Sequence, residues 1–127
     1  MEDPALILFA HGARDPRWAE PFEQILALVE RTAPQRQPML AFLELMQPSL
    51  EEAIRLQISR GFQAVTVVPL FLGLGGHLRR DVPVLLEGIR ERHRDVSIVL
   101  AGPAGEDEAV MVAIAGFCTR AGSPVAG

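Results

Sequence analysis

The sequence predicts a doubly wound α/β domain: a parallel sheet of four strands in the order 2-1-3-4, with helices on both faces. Three observations predict it. Four short apolar runs recur along the chain, at residues 5–10, 39–45, 64–72 and 96–100. A segment with apolar residues at helical spacing follows each run. The resulting βαβαβαβα alternation calls for a parallel sheet sandwiched by its crossover helices. Right-handed crossovers and the common doubly wound order put the first strand in the middle, flanked by the second and third. All four strands then end on one edge, and ligands bind there, beside the point where strand order reverses.

Taken in order, Ala5-Leu6-Ile7-Leu8-Phe9-Ala10 reads as a buried strand, and His11-Gly12-Ala13-Arg14-Asp15-Pro16 as a turn-rich loop. Trp18, Phe22, Ile25, Leu26 and Val29 share one helical face. Pro21 delays or kinks the start of that helix, near Glu20. The second strand, 39–45, is interrupted only by Glu44. Ser49 and Glu52 form a capping box for a second helix with Leu50, Ala53, Ile54 and Ile58 inside, and Gly61 ends it. The third run is apolar and β-branched at its start, as expected of a strand covered on both faces. Asp81-Val82-Pro83 reads as the start of the third helix, with Pro83 in its first turn. Val82, Leu85, Leu86 and Ile89 face inward, and Arg90, Arg92 and Arg94 suit its negative C-terminal end. After the fourth strand and a Gly102-Pro103 turn, a helix over 106–118 buries Val110, Ile114, Phe117 and Cys118. One domain over 1–120 results, with 121–127 as a frayed tail.

Composition narrows the function. The chain has 127 residues, 49% hydrophobic and 22% charged, with a net charge of −4. No basic face is expected, so no nucleic-acid partner. The twelve basic residues are all Arg. Without Lys there is no P-loop lysine, Schiff base or Ser-Lys pair, and without Tyr no phenol for acid–base work. The single Cys118 cannot form an internal disulfide, which fits a reducing cytoplasm. The first apolar run is short and lacks a basic flank, so neither a signal peptide nor a membrane span is expected.

Two histidines stand just past the carboxyl ends of strands. His11 follows the first, and His77 follows the third within Gly73-Leu74-Gly75-Gly76. Glu44 ends the second. With strands about 4.8 Å apart, these side chains can meet around one ion. Two imidazoles and a carboxylate suit a borderline divalent metal and leave coordination positions open. Gly73, Gly75 and Gly76 let the backbone turn sharply or lie close to a flat ligand. Plainer readings stand beside these: His11 as a turn hydrogen-bonder, His77 as a helix-start residue, and Glu44 as a partner of the next helix's dipole. His93, among arginines at a helix end, reads as structural.

The motifs Phe9-Ala10-His11-Gly12-Ala13-Arg14-Asp15-Pro16, Glu44 four residues before Pro48-Ser49-Leu50, Val68-Pro69-Leu70-Phe71-Leu72 and Gly75-Gly76-His77-Leu78-Arg79-Arg80-Asp81-Val82-Pro83 resemble the small class II chelatases. These are the short CbiX and SirB-like sirohydrochlorin chelatases. The resemblance spans roughly residues 4 to 118, and is most specific from 69 to 83. It implies a flavodoxin-like, chelatase-like half-domain that inserts a divalent metal into sirohydrochlorin without ATP: cobalt first, with ferrous iron and nickel as further metals. It implies His11, Glu44 and His77 as metal-binding and catalytic residues, with His11 also a proton acceptor. It further implies that the tetrapyrrole lies along Phe71, Leu72, Gly73, Leu74, Gly75 and Gly76, with Gln47 nearby. The metal is substrate, no organic cofactor is expected, and two copies pair as a homodimer. Ala13 departs from the Ser that usually follows the His-Gly pair, and Gln47 stands where some short members carry an acidic residue. A metal or tetrapyrrole carrier using the same site is the alternative. A hydrolase or phosphotransferase built on His11 is weak, since neither a Gly-x-Ser-x-Gly elbow nor a Walker loop is present.

Overall fold

The computed structural model describes residues 3–122. Strands β1 (Ala5–Ala10), β2 (Met39–Phe42), β3 (Ala64–Pro69) and β4 (Ser97–Leu100) form one sheet, all parallel, in the order β2-β1-β3-β4. Helices α1 (Glu20–Thr32), α2 (Leu50–Ser59), α3 (Gly76–Arg92) and α4 (Glu108–Arg120) follow the strands in turn. The expected topology and strand order are therefore present, with the reversal of order at β1. The expected tail falls mostly on residues 123–127, outside the described residues.

Every residue of β1 is buried, as its unbroken apolar run requires. The core lies on one side of the sheet. There Ala5, Ile7, Phe9, Ala41, Val65, Val67 and Ile98 meet Leu50, Ala53 and Ile54 of α2 and Val82, Leu86 and Ile89 of α3. Each of the larger side chains contributes about 1.5–3 kcal/mol by leaving water. Gln57 is fully buried among them, and its amide donates to the carbonyls of Leu6 (3.3 Å) and Gln37 (2.6 Å), which anchors α2 to β1. Ser49 and Glu52 form the expected capping box.

The other side is only partly covered. Phe22 of α1 packs edge-on against Phe42 of β2. Over β3 and β4 the cover is thin: Thr66 and Val68 are half-buried, and Val99 is 53% exposed. Thus β3 alternates between buried and half-buried residues instead of being covered on both faces. The reason lies in α4, which contributes no buried residue and contacts the 3-10 turn before it, Ala104–Glu106. The expected burial of α4 is corrected accordingly. Val110 is half-buried, but Ile114, Phe117 and Cys118 are exposed.

Boundaries also differ, among them the third strand, which ends at Pro69 instead of residue 72, and α4, which starts at Glu108 instead of residue 106. The second strand stops at Phe42 instead of residue 45, because Leu43 to Pro48 turn and Leu45 takes a left-handed backbone (φ 68°). The third helix begins at Gly76, five residues before Asp81, with Pro83 inside it. Pro83 is exposed, so its missing N–H interrupts the helix on the solvent side. Trp18 belongs to a 3-10 turn, Pro16–Ala19, that precedes α1.

Candidate functional site

The carboxyl edge of the sheet gathers the loops after β1, β2, β3 and β4. Consecutive hydrogen bonds fix the end of β1. The Leu70 N–H donates to the Phe9 carbonyl (2.7 Å), and the Leu43 N–H to the Ala10 carbonyl (2.8 Å). His11 is the next residue, its backbone held between the two neighbouring strands.

Gly12 then lets the first two loops close on each other. A Cβ at Gly12 would overlap the backbone carbonyl oxygen of Glu44, so only glycine admits this approach. The close approach brings Glu44 to His11, with Nδ1 of His11 3.1 Å from Oε1 of Glu44. A carboxylate only accepts, so the contact assigns the ring hydrogen to Nδ1 and leaves the Nε2 lone pair free. Both side chains are just over 40% exposed, open to a ligand at this edge. The ring of His11 also rests on Phe71, centroid to centroid 4.8 Å. Phe71 is buried (7% exposed) and in turn contacts Phe9 (5.9 Å).

His77 lies in the first turn of α3, not in the loop, and is exposed. Among the described residues no three His, Cys, Asp or Glu side chains lie close enough together to hold one metal ion. The structure thus joins His11 and Glu44 directly and leaves His77 apart from them. Glu44 sits beyond β2 instead of at its end, because the chain has already turned.

The other expected residues fall into two groups. Phe71 backs His11 from inside the core. Leu72 (76% exposed), Gly73, Gly75 and Gly76 form an open rim, with Leu74 half-buried against the core. None of these three glycines has a left-handed backbone. A Cβ at Gly75 or Gly76 would meet open space, and one at Gly73 only Oε2 of Glu106 at 3.6 Å. The chain bends at Phe71 and Leu72 without a left-handed glycine, and the glycines that follow face open space. Gln47 is exposed, and its amide nitrogen, turned toward Glu52, donates to that carboxylate.

Sequence reasoning missed two contributors. The indole Nε1–H of Trp18 donates to the His11 carbonyl (2.7 Å). Its signal was Asp15-Pro16, a capped turn that sets Trp18 off from the helix. The loop after β4 also reaches the rim. The Gly105 N–H donates to the Phe71 carbonyl (2.8 Å), a Cβ at Gly105 would collide with the Leu72 backbone, and Glu106 faces Arg79 at 3.9 Å.

Comparison with known proteins places this arrangement. The CbiX family profile matches residues 5–118. A protein of Saccharolobus solfataricus named sirohydrochlorin cobaltochelatase is 33% identical over 118 residues, 83% of this chain and 85% of the relative. One of the same name from Methanopyrus kandleri is 34% identical over 82 residues, 65% of this chain and 57% of that protein. Among solved structures, a CbiX protein from Marinobacter aquaeolei superposes with a TM-score of 0.83 at 36% identity, covering 93% of this chain and 96% of its own. SirB from Bacillus subtilis with Fe3+ superposes with a TM-score of 0.80 at 26% identity, covering 95% of this chain but 48% of the SirB chain. Matched from β1 to α4 and similar to these relatives in sequence and in fold, the chain belongs to the CbiX family.

Proposed function

We propose that this protein inserts a divalent metal, cobalt first, with ferrous iron and nickel as further metals, into sirohydrochlorin without ATP. The observation that carries the reading is the His11–Glu44 pair at the point where strand order reverses. Relatives named sirohydrochlorin cobaltochelatase support the choice of substrate and metal.

Insertion exchanges one divalent cation for two pyrrole N–H protons. Nε2 of His11 offers a lone pair at the edge, the Oε2 of Glu44 lacks a hydrogen-bond partner among the described residues, and the exposed imidazole of His77 stands in the first turn of α3. These donors hold a borderline metal loosely and leave positions for water and then for pyrrole nitrogens. A neutral imidazole accepts a proton near pH 7. The same nitrogen cannot bind the metal and take a proton at once, so either His11 releases the metal as it takes a proton or Glu44 takes that proton, and the second proton passes to water. The ring lies along the rim of Leu72 to Gly76, where glycines let a flat face approach the backbone. The exposed arginines at this edge, Arg14, Arg79 and Arg80, pair with its acidic substituents.

The site is small against a tetrapyrrole, and a second copy supplies the opposite wall. Two features support pairing: the uncovered Val99 and α4, and the SirB chain, which is about twice as long as this one. No helix among the described residues is long and apolar enough to cross a membrane. The free thiol of Cys118 suits a reducing compartment, so the reading places the reaction in the cytoplasm.

The test is anaerobic, absorbance-monitored insertion of Co2+, Ni2+ or Fe2+ into sirohydrochlorin, beside His11→Ala and His77→Ala. A rate well above the spontaneous one, lost in both variants, is expected. Tight metal or ring binding without acceleration would instead mean that the protein is a carrier.

A further inference from the structure

Three successive carbonyls at the end of β1 accept hydrogen bonds from three different segments. Phe9 accepts from Leu70 after β3, Ala10 from Leu43 after β2, and His11 from the indole of Trp18. The first two are the last rungs of the sheet. The third is not a rung: it continues the pinning one residue further, onto the histidine itself.

The Trp18 bond is not explained by burial. Trp18 is 42% exposed, so its ring is not held in place by burial in the core. The indole is instead built into place. The Asp15 carboxylate accepts the Arg17 N–H (2.9 Å), the Arg17 guanidinium grips the same carboxylate through Nε and Nη2 (2.8 to 3.2 Å), and the Trp18 N–H donates to the Asp15 carbonyl (3.0 Å). The ring leans on Phe22 (5.5 Å). A short capped turn thus aims a donor-only group at one carbonyl, at 2.7 Å.

We propose that Trp18 is a positioning residue for His11: through its indole N–H it fixes the His11 backbone, so that Glu44 and Phe71 hold the ring with Nε2 facing the metal. The proposal rests on His11 being the metal-binding imidazole. Residues that orient a metal-binding histidine are typically worth 10–100-fold in metal affinity or activity, which sets the expected scale.

Two variants and one His11 control decide the matter. Trp18→Phe keeps an aromatic ring beside Phe22 and removes only the donor. Phe22→Leu loosens the same packing and leaves the donor. Co2+ alone is titrated by equilibrium dialysis, and insertion is followed for kcat and KM. Trp18→Phe is expected to weaken Co2+ binding about tenfold and lower kcat by a similar factor, with KM for sirohydrochlorin within twofold of the parent. Phe22→Leu is expected to lower the melting temperature and leave Co2+ affinity intact. Trp18 is the sole indole, so Co2+ is also expected to quench the parent's fluorescence, and His11→Ala to abolish the quench. Parental Co2+ affinity and kcat in Trp18→Phe, with both lost in His11→Ala, would overturn the positioning role alone. Equal loss in Phe22→Leu and Trp18→Phe would overturn it in favour of packing. Parental Co2+ affinity and quench in His11→Ala would remove the site reading beneath it.

Discussion

Glu44 reaches His11 from a different loop, its Oε1 3.1 Å from Nδ1, because the residue between His11 and the turn has no side chain. The pair fixes the tautomer of His11 and leaves Nε2 outward. Glu44→Gln keeps the size and one acceptor, but its amide can also present a donor to Nδ1 and unfix the tautomer. The expected result is a 10–100-fold fall in kcat for Co2+ insertion, smaller than the loss in His11→Ala, read by the absorbance change of the ring.

His77 separates a functional from a structural role cleanly. It is exposed in the first turn of α3 and has no hydrogen bond among the described residues. Removing its ring should move stability by no more than about 0.5 kcal/mol, as for an ordinary surface substitution. His77→Ala is therefore expected to melt with the parent in a urea titration while losing metal insertion. A variant that inserts Co2+ at the parental rate would show that the metal is handled by His11 and Glu44 alone.

Gly12 carries the junction of the first two loops. A methyl group there overlaps the Glu44 carbonyl oxygen, a backbone atom that cannot rotate away. Gly12→Ala is expected to lower stability by about 1–3 kcal/mol, the usual range for forced overpacking, and to lower insertion as well by parting His11 from Glu44. Urea unfolding and the insertion assay on the same preparation check both.

Much of this was legible in the sequence because it rests on local rules. Apolar runs alternating with helical periodicity dictate strand order, and Ser49 with Glu52 announces the start of α2 by its capping chemistry. The histidines were legible because the ends of parallel strands are few and all lie on one edge. Tertiary contact hid the rest. That Phe71 backs His11 from the core, and that Trp18 holds its carbonyl, depends on how loops meet, which no periodicity records. Pro83 misplaced the start of α3, since it stands inside the helix on its exposed side instead of in the first turn. The apolar residues of α4 read as core because sequence alone does not say whether the surface that covers a helix belongs to the same chain.

Away from the site, Glu51 of α2 is held by Arg92 (2.8 Å from each of two nitrogens) and touched by His93 (3.2 Å) at the end of α3. The Arg92 hydrogen bonds, ahead of the His93 contact, bring its carboxyl from 4.5 down to about 2. A carboxyl depressed in the folded state contributes stability above its unfolded value and loses it as pH falls. The contribution is therefore complete above about pH 4.5 and fades between there and about pH 2. Thermal melts should show Arg92→Ala below the parent at pH 7, with the gap narrowing steadily from pH 4.5 to pH 2.5. A gap that stays constant across that range would assign the effect of Arg92 to packing.

The surface formed by α4 and β4 leads to the last prediction. Met111 (48% exposed), Val112 (65%), Ile114 (39%) and Phe117 (64%) stand on one helix, and Val99 (53%) lies on the thinly covered side of the sheet. Single apolar residues are ordinary on a surface, but four large ones left exposed on one helix, together with the uncovered Val99 of β4, are of the kind that marks an interface. The second copy proposed above would cover this surface. A symmetric pair would present the same patch from both sides. Sedimentation is expected to give about twice the 13.8 kDa chain mass. Val112→Asp with Phe117→Asp should yield a folded monomer, because neither side chain is buried in the single chain. That monomer is expected to retain Co2+ binding at His11 and lose most insertion activity, as one wall for the ring is missing. A parent that sediments as a monomer at assay concentration with full activity would end the pairing argument.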